Sequence, residues 1–231
     1  MPKKIIVISL GGSLIIPHKI NINLLKDFKK TLIKNSKNSK FIIVCGGGQT
    51  ARDYIKGLDN EKIKRKEILQ SYLGIASTRL NARFMTYFFG EEANEGIPMD
   101  MKQIKGLLKK NKFIFCGALR YAPNQTSDST AAKLAKYFKT EFINLTNVKG
   151  LFDKNPKKFR SVKFIPEISH KDFLNMTKKV EFKPGQHFAL DQTAAKVIKK
   201  YNITTYILGQ DFKNLDKVLN NKHFIGTMIS S

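Results

Sequence analysis

The sequence predicts an α/β protein, a three-layer α/β/α sandwich around a mainly parallel central sheet. Five short apolar runs carry this expectation: KIIVISL (4–10), FIIVC (41–45), FIFC (113–116), FINLT (142–146) and TYILG (205–209). None alternates apolar with polar residues, the pattern of strands covered on both faces and therefore of parallel pairing. Helix-like segments separate the runs, so each strand returns to the sheet through a crossover, expected to be right-handed. The endings of the runs add a third observation. They lead into Gly11-Gly12-Ser13, Gly46-Gly47-Gly48, Gly117, Thr146-Asn147 and Gly209. In an open parallel sheet the ligand sits beyond the carboxyl ends of the strands, and glycine there lets backbone amides approach it.

The elements follow in chain order. After the first strand, Leu24, Leu25, Phe28 and Leu32 line one face of a helix. Residues 61–89 form a long second helical region containing Ile68, Tyr72, Ile75 and Leu80. Further helices are expected over 99–109, 129–139 and 192–201. Residues 159–182 are less regular, although Ser169 and Asp172 form a capping box for a short helix. The segment HFIGTMIS adds a strand after a turn at Asn220 and Asn221. With no repeat, low-complexity tract or linker, residues 1–231 read as a single domain.

The chain carries 42 Lys and Arg against 18 Asp and Glu, a formal charge of +24. Such a surplus suits anionic partners. The lysines are spread through every segment, whereas a nucleic-acid footprint clusters on one face. A nucleic-acid partner is therefore not expected, and the charge by itself also fits a solvated lysine-rich surface. Cys45 and Cys116 each close an apolar run and read as buried thiols in a reducing compartment. The four histidines show no metal-ligand spacing, so no metal ligands are assigned. No run reaches the length of a membrane span, and the N-terminus lacks a cleavage pattern. A cytoplasmic protein without a membrane partner is expected.

Three local patterns bear on chemistry. Gly46-Gly47-Gly48 opens a helix, whose free N–H groups attract an anion; three glycines exceed the needs of a turn, which favours ligand approach. The usual phosphate loops are missing, since neither GxxxxGK[ST] nor a strand-borne GxGxxG with a later acidic residue occurs. Before the helical run at 129–139, Asp128 reads either as an N-cap or as an acidic group beside a phosphate site, with Thr126 and Ser127 supplying hydroxyls. Asp191, before QTAAKVIKK, has the same two readings. Lys196 lies near the start of that last helix, and its side chain leans back toward the helix entrance, where it would meet a transferring phosphoryl group.

Taken in order, LGGS, VCGGGQTAR, LGIASTRLNA, TSDSTAAKLA, LTNVKGLFDKNPKK and LDQTAAKVIKK resemble the amino acid kinase superfamily, and within it the archaeal-type uridylate kinases. The resemblance spans Lys4 to Ile229. It implies the α/β/α fold, a homohexamer, and transfer of the ATP γ-phosphate to UMP with Mg²⁺. By motif, it puts Gly11, Gly12, Ser13, Gly48 and Arg52 near the ATP phosphates, and Thr146, Asn147, Phe152 and Asn155 on the adenine-nucleotide side. Gly47, Ser71, Gly117, Thr126, Ser127 and Asp128 fall on the UMP side. Lys196 and Asp128 match the catalytic lysine and the aspartate that organises lysines. Residues 1–140 would mainly bind the acceptor and residues 141–231 mainly ATP.

Some positions depart from the family pattern. Ser9 replaces an Asp or Lys before Leu-Gly-Gly, and Ser71 replaces an acidic residue three before Gly74. Lys149, Phe152 and Asn155 replace the Asp, Tyr and Asp of TNVDG-x-Y-x-x-DP, and the loop from Gly117 to Asp128 is longer by about two residues. These departures keep two alternatives open: a superfamily kinase for another acceptor, such as isopentenyl phosphate or a carboxylate, and a non-catalytic nucleotide- or oxyanion-binding protein. The chemistry of phosphoryl transfer needs positioning and charge neutralisation more than a protein nucleophile. The absence of a Ser-His-Asp or Cys-His set fits this.

Overall fold

The computed structural model describes residues 3–123, 125–154, 156, 159, 161–178 and 190–231. The five apolar runs become β1 (Lys4–Leu10), β2 (Ser39–Cys45), β3 (Phe113–Cys116), β4 (Phe142–Leu145) and β8 (Thr205–Leu208). They lie side by side in the order β3-β2-β1-β4-β8, and every neighbouring pair is parallel. The sheet ends in β9 (Thr227–Ser230), antiparallel to β8, and β7 (Glu167–Ser169), parallel to β9. HFIGTMIS thus supplies a strand, as expected.

Alternating side chains of each strand enter two separate cores, because successive Cβ atoms point to opposite faces. On one face Ile6, Ile8, Phe41, Ile43, Phe113 and Phe115 pack with residues of α2 (Ile22–Asn35), α4 (Lys66–Phe89) and α9 (Phe212–Leu219). On the other, Val7, Ile42, Val44 and Ile114 meet α5 (Met101–Leu107), α6 (Ser127–Phe138) and α8 (Gln192–Tyr201). Both faces are covered, which is why the strands show no alternation. Phe28 of α2 holds the first layer together, its ring centroid 6.1 Å from Phe89 and 5.3 Å from Phe212. Each fully buried side chain of this kind contributes about 1.5–3 kcal/mol.

Several boundaries differ from expectation. The helical region expected from 61 begins at Lys66, because Arg65 takes a left-handed conformation (φ 59°) that no α-helix continues through. It follows a separate α3 (Gly48–Gly57), and Gln70 of α4 donates to Ile55 O at the end of α3 and to Asp59 Oδ1 of the intervening loop. The helix expected at 129 starts at Ser127, so Asp128 is not its cap; Thr126 is. The helix α9, capped by Asp211, was not foreseen, although Phe212, Leu215 and Val218 carry helical spacing. The small hairpin of β5 (Leu151–Phe152) and β6 (Phe164–Ile165) was also missed, its two-residue strands being too short to show a period.

The capping box forms as expected at the entrance of α7 (His170–Lys178): Ser169 Oγ accepts from Asp172 N at 3.1 Å and donates to its carboxylate at 2.7 Å. Cys45 and Cys116 are fully buried, and burial pushes the Cys116 thiol up to about 12. Among the described residues, no helix is long and apolar enough to cross a membrane.

Candidate phosphoryl-transfer site

The chain leaves β1 for β2 and β3 on one side and then returns to β4 and β8 on the other. Between β1 and β4 the strand order reverses, and in open α/β sheets ligands bind outside the carboxyl ends at such a point. The loop Gly11-Gly12-Ser13 leaves β1 there and opens α1 (Gly12–Ile15). Gly11 N donates to Leu145 O at 2.9 Å, at the end of β4. Thr146 N donates to Leu208 O at 2.9 Å, so the ends of β4 and β8 are tied in turn, with Asn147 beside it.

The second glycine loop lies directly against the first. A Cβ on Gly12 would stand 2.0 Å from Gly48 N, and one on Gly46 would stand 2.4 Å from Gly12 N. Gly48 also has a φ of 66°, which favours glycine. The run of three glycines is therefore accounted for in large part by two backbones in contact, a demand that ligand approach alone did not suggest. A Cβ on Gly47 would meet Ala51 Cβ at 2.4 Å. Neither α1 nor α3 has a side chain capping its N-terminus, unlike α6 and α8. Arg52, half-buried on α3, directs its Nε and Nη2 to Gln49 Oε1 at 3.0 and 2.7 Å, close to that helix entrance.

The segment STRLNA on α4 holds the loops in place. Asn81 Nδ2 donates to Gly46 O at 2.7 Å. Thr78 Oγ1 accepts from Ala118 N at 3.0 Å, while Arg79 donates to Ala118 O and Leu119 O. A Cβ on Gly117 would reach within 2.5 Å of Thr78 Oγ1. These three residues had no assigned role in the sequence reading. Thr78 and Asn81 belong to a set of buried polar residues on α4 that also includes Gln70, Ser77 and Thr86, and no local pattern separates them from the rest.

The starts of α6 and α8 are joined by Asp191. It caps α8 through Ala194 N at 2.8 Å and also accepts from Thr126 Oγ1 and Ser129 Oγ, both at 2.6 Å. The cap reading of Asp191 is thus correct but incomplete. The Thr126 hydroxyl is engaged by Asp191 and by Asp128 N, whereas the Ser127 hydroxyl has no hydrogen-bond partner among the described residues. Asp128, in the first turn of α6, receives Ser9 Oγ at 2.6 Å and Asn144 Nδ2 at 3.0 Å on the same oxygen, Oδ1. Burial pushes its carboxyl up to about 7; the two hydrogen bonds oppose that rise and the charge of Asp191 adds to it.

The remaining expected residues are spread around this centre. Lys196 is exposed on the second turn of α8 and has no hydrogen-bond or ion-pair partner among the described residues. Among those residues, no lysine pairs with Asp128, so the expected lysine-organising contact is replaced by Ser9 and Asn144. Ser71 donates to Glu67 O at 2.8 Å on its own helix. Next to it, Tyr72 lies 5.2 Å from Tyr121, bringing the loop after Gly117 against α4. Phe152 pairs with Phe164 at 5.4 Å, and Lys149 Nζ sits 4.9 Å from the Phe164 ring. Asn155 lies outside the described residues.

A parallel sheet that gathers two helix entrances without side-chain caps at its switch point defines an α/β protein of the phosphate-binding class. Residues 4–209 match the amino acid kinase family, and the chain belongs to that family. It is 31% identical over 226 residues to the uridylate kinase of Thermococcus kodakarensis, covering 97% of this chain and 98% of that one. The uridylate kinase of Archaeoglobus fulgidus is likewise 31% identical, with 97% and 99% covered. The crystal structure of uridylate kinase from that organism superposes with a TM-score of 0.82 at 30% identity, covering 98% of this chain and all of that one. The UMP kinase structure from Ureaplasma parvum, at 22% identity and a TM-score of 0.76, shares the fold.

Proposed function

We propose that the protein is a UMP kinase, transferring the γ-phosphate of ATP to UMP to give UDP for pyrimidine nucleotide synthesis. The observation that carries this reading is near-complete coverage by uridylate kinases of about the same length, at 30–31% identity. The geometry supports it. Amides of Gly11, Gly12, Ser13 and Gly48 and the guanidinium of Arg52 would hold the ATP phosphates, with Thr146, Asn147 and Phe152 toward its adenosine. Gly47, Ser71, Gly117, Thr126 and Ser127 would border UMP. Residues 1–140 would mainly take the acceptor and residues 141–231 mainly ATP.

The reaction joins two phosphate groups, and the acceptor oxygen of UMP is already anionic, so no base is required. What the chain supplies is positioning and positive potential. Lys196 would neutralise charge that develops on the transferring group. Mg²⁺, carried by the nucleotide phosphates, would supply further charge neutralisation; the ion commonly binds through phosphates and few protein ligands. Among the described residues, no group of three or more His, Cys, Asp or Glu could hold a metal ion.

A homohexamer is supported by α4, which is apolar on its outer face as well. Leu69, Tyr72, Leu80 and Tyr87 share that exposed stripe, with Leu80 60% and Tyr87 74% accessible. A cytoplasmic location fits substrates that are free nucleotides. One observation favours another acceptor, such as isopentenyl phosphate or a carboxylate: the Ser71 hydroxyl is bonded to Glu67 O, where the family pattern has a free acidic group. A panel of acceptors with ATP and Mg²⁺ tests both readings. UDP should form fastest from UMP; preference for another acceptor selects the alternative, and no turnover with any acceptor ends the kinase reading.

A further inference from the structure

We propose that Ser9 and Asn144 are positioning residues of the phosphoryl-transfer site, holding the Asp128 carboxylate by one oxygen from two adjacent strands. The proposal rests on the kinase reading above. Ser9 of β1 and Asn144 of β4 are register partners across the strand pair at the switch point. Their neighbours two residues back, Val7 and Phe142, enter the core on the α6 and α8 side, so both side chains face α6. Both donate to Asp128 Oδ1, at 2.6 and 3.0 Å.

Apart from the Asp128 carboxyl, nothing in the packing calls for polar residues at these two places. The strands are otherwise apolar there, and Ser9 and Asn144 are 0% and 2% exposed. Asn144 Oδ1 is, among the described residues, a buried side-chain acceptor without a partner. An apolar side chain would spare the fold that unmet oxygen. The amide is thus retained for what its other end does, which is to donate to Asp128.

What the two donors achieve is to favour the charged form of a carboxyl that burial drives toward neutrality. Among the described residues, the one charged group acting on Asp128 is Asp191 at the start of α8, which raises it further; no charged side chain of β1, β2 or β4 contributes. The carboxylate sits in the first turn of α6, and Ser9 stands two positions before the Gly11-Gly12-Ser13 loop. A negative charge fixed here would draw cationic groups toward the loop that would hold the phosphates, although among the described residues no lysine pairs with Asp128. It also locks α6 to β1 and β4, on which both halves of the site are built.

The test follows Asp128 directly and in turnover. In the free protein, the carboxyl ¹³C resonance of Asp128 should titrate at higher pH in Ser9→Ala and in Asn144→Leu than in wild type, by about one unit, a tenfold change in proton affinity. The acid limb of the kcat profile should move upward with it. At about pH 6 kcat should fall roughly tenfold, with KM for ATP and UMP changed little and kcat near wild type at about pH 9. Ser9→Thr keeps the hydroxyl and should restore the wild-type limb. Ser9→Ala, which removes a single oxygen, covers the case in which Asn144→Leu fails to fold.

Unmoved resonance midpoints overturn the proposal even where wild-type turnover upholds the kinase reading. Moved midpoints with an unmoved kcat limb also overturn it, since Asp128 would then be held without consequence for the reaction. Moved midpoints in the variants, together with a wild-type protein that phosphorylates no acceptor, overturn the kinase reading and leave the hold on Asp128 supported.

Discussion

Ser9 and Asp128, 119 residues apart in sequence, meet in a 2.6 Å hydrogen bond that joins the end of β1 to the first turn of α6. The contact places an uncharged donor against a buried acid that burial pushes up to about 7. An unfolded aspartate ionises near 3.9. Between these values the folded protein holds a proton that the unfolded chain releases, so stability is greatest below the unfolded value and declines as pH rises toward about 7. Asp128→Asn removes this dependence. Denaturation at several pH values should show the variant gaining on wild type by on the order of 2 kcal/mol between about pH 5 and pH 8. Its turnover should be strongly reduced.

Lys196 carries the opposite expectation. It is exposed and without a partner among the described residues, so the fold does not depend on its charge. Lys196→Ala should leave the denaturation midpoint unchanged while lowering kcat by roughly 10²- to 10³-fold, the loss typical when a charge that stabilises a transition state is removed. Steady-state kinetics with ATP and UMP decide it. A variant with wild-type kcat removes Lys196 from the mechanism.

The interlocked glycine loops predict a sharp contrast between positions. Gly12→Ala forces a Cβ into Gly48 N, which no side-chain rotation relieves, and should destabilise by about 3 kcal/mol or more. Gly106→Ala, inside α5 with nothing within 4 Å of the added carbon, should stabilise by about 0.4–1 kcal/mol. Urea unfolding of the two variants reads the difference. Equal effects would show that the loops separate more readily than their backbone contact implies.

The outer stripe of α4 predicts the assembly. Leu80→Glu places a charge at a 60% exposed position, so the protomer should fold normally. If the stripe is buried between copies, light scattering should show a species of lower mass than wild type. A wild-type monomer, or an unchanged mass in the variant, locates the interface elsewhere or removes it.

Much of the architecture was legible in the chain. KIIVISL, FIIVC, FIFC, FINLT and TYILG carry their burial in their composition, and all five pair in parallel. The glycine and polar endings were legible for the same reason, being short local motifs. α9 escaped because its spacing is brief, and β5 and β6 because two residues have no period. Asp128 as a cap was wrong because Thr126, two positions earlier, could satisfy the same helix end equally well on local grounds.

By itself, then, the sequence determined the five parallel strands and the last strand, the three-layer class and the family motifs, since periodicity and composition act over neighbouring residues. Only the tertiary structure decided which of those residues meet. It brought Gly12 against Gly48, Asn81 onto Gly46 O, and Asp191 across two helix starts. It also paired Ser9 with Asn144 around Asp128. These are contacts between distant segments, set by strand order and by the packing of helices on the sheet, and no local pattern encodes them. The uncharged residue that stood out before Leu10 as a missing charge is, in the folded chain, a hydrogen-bond donor to a carboxyl that the sequence places 119 positions away.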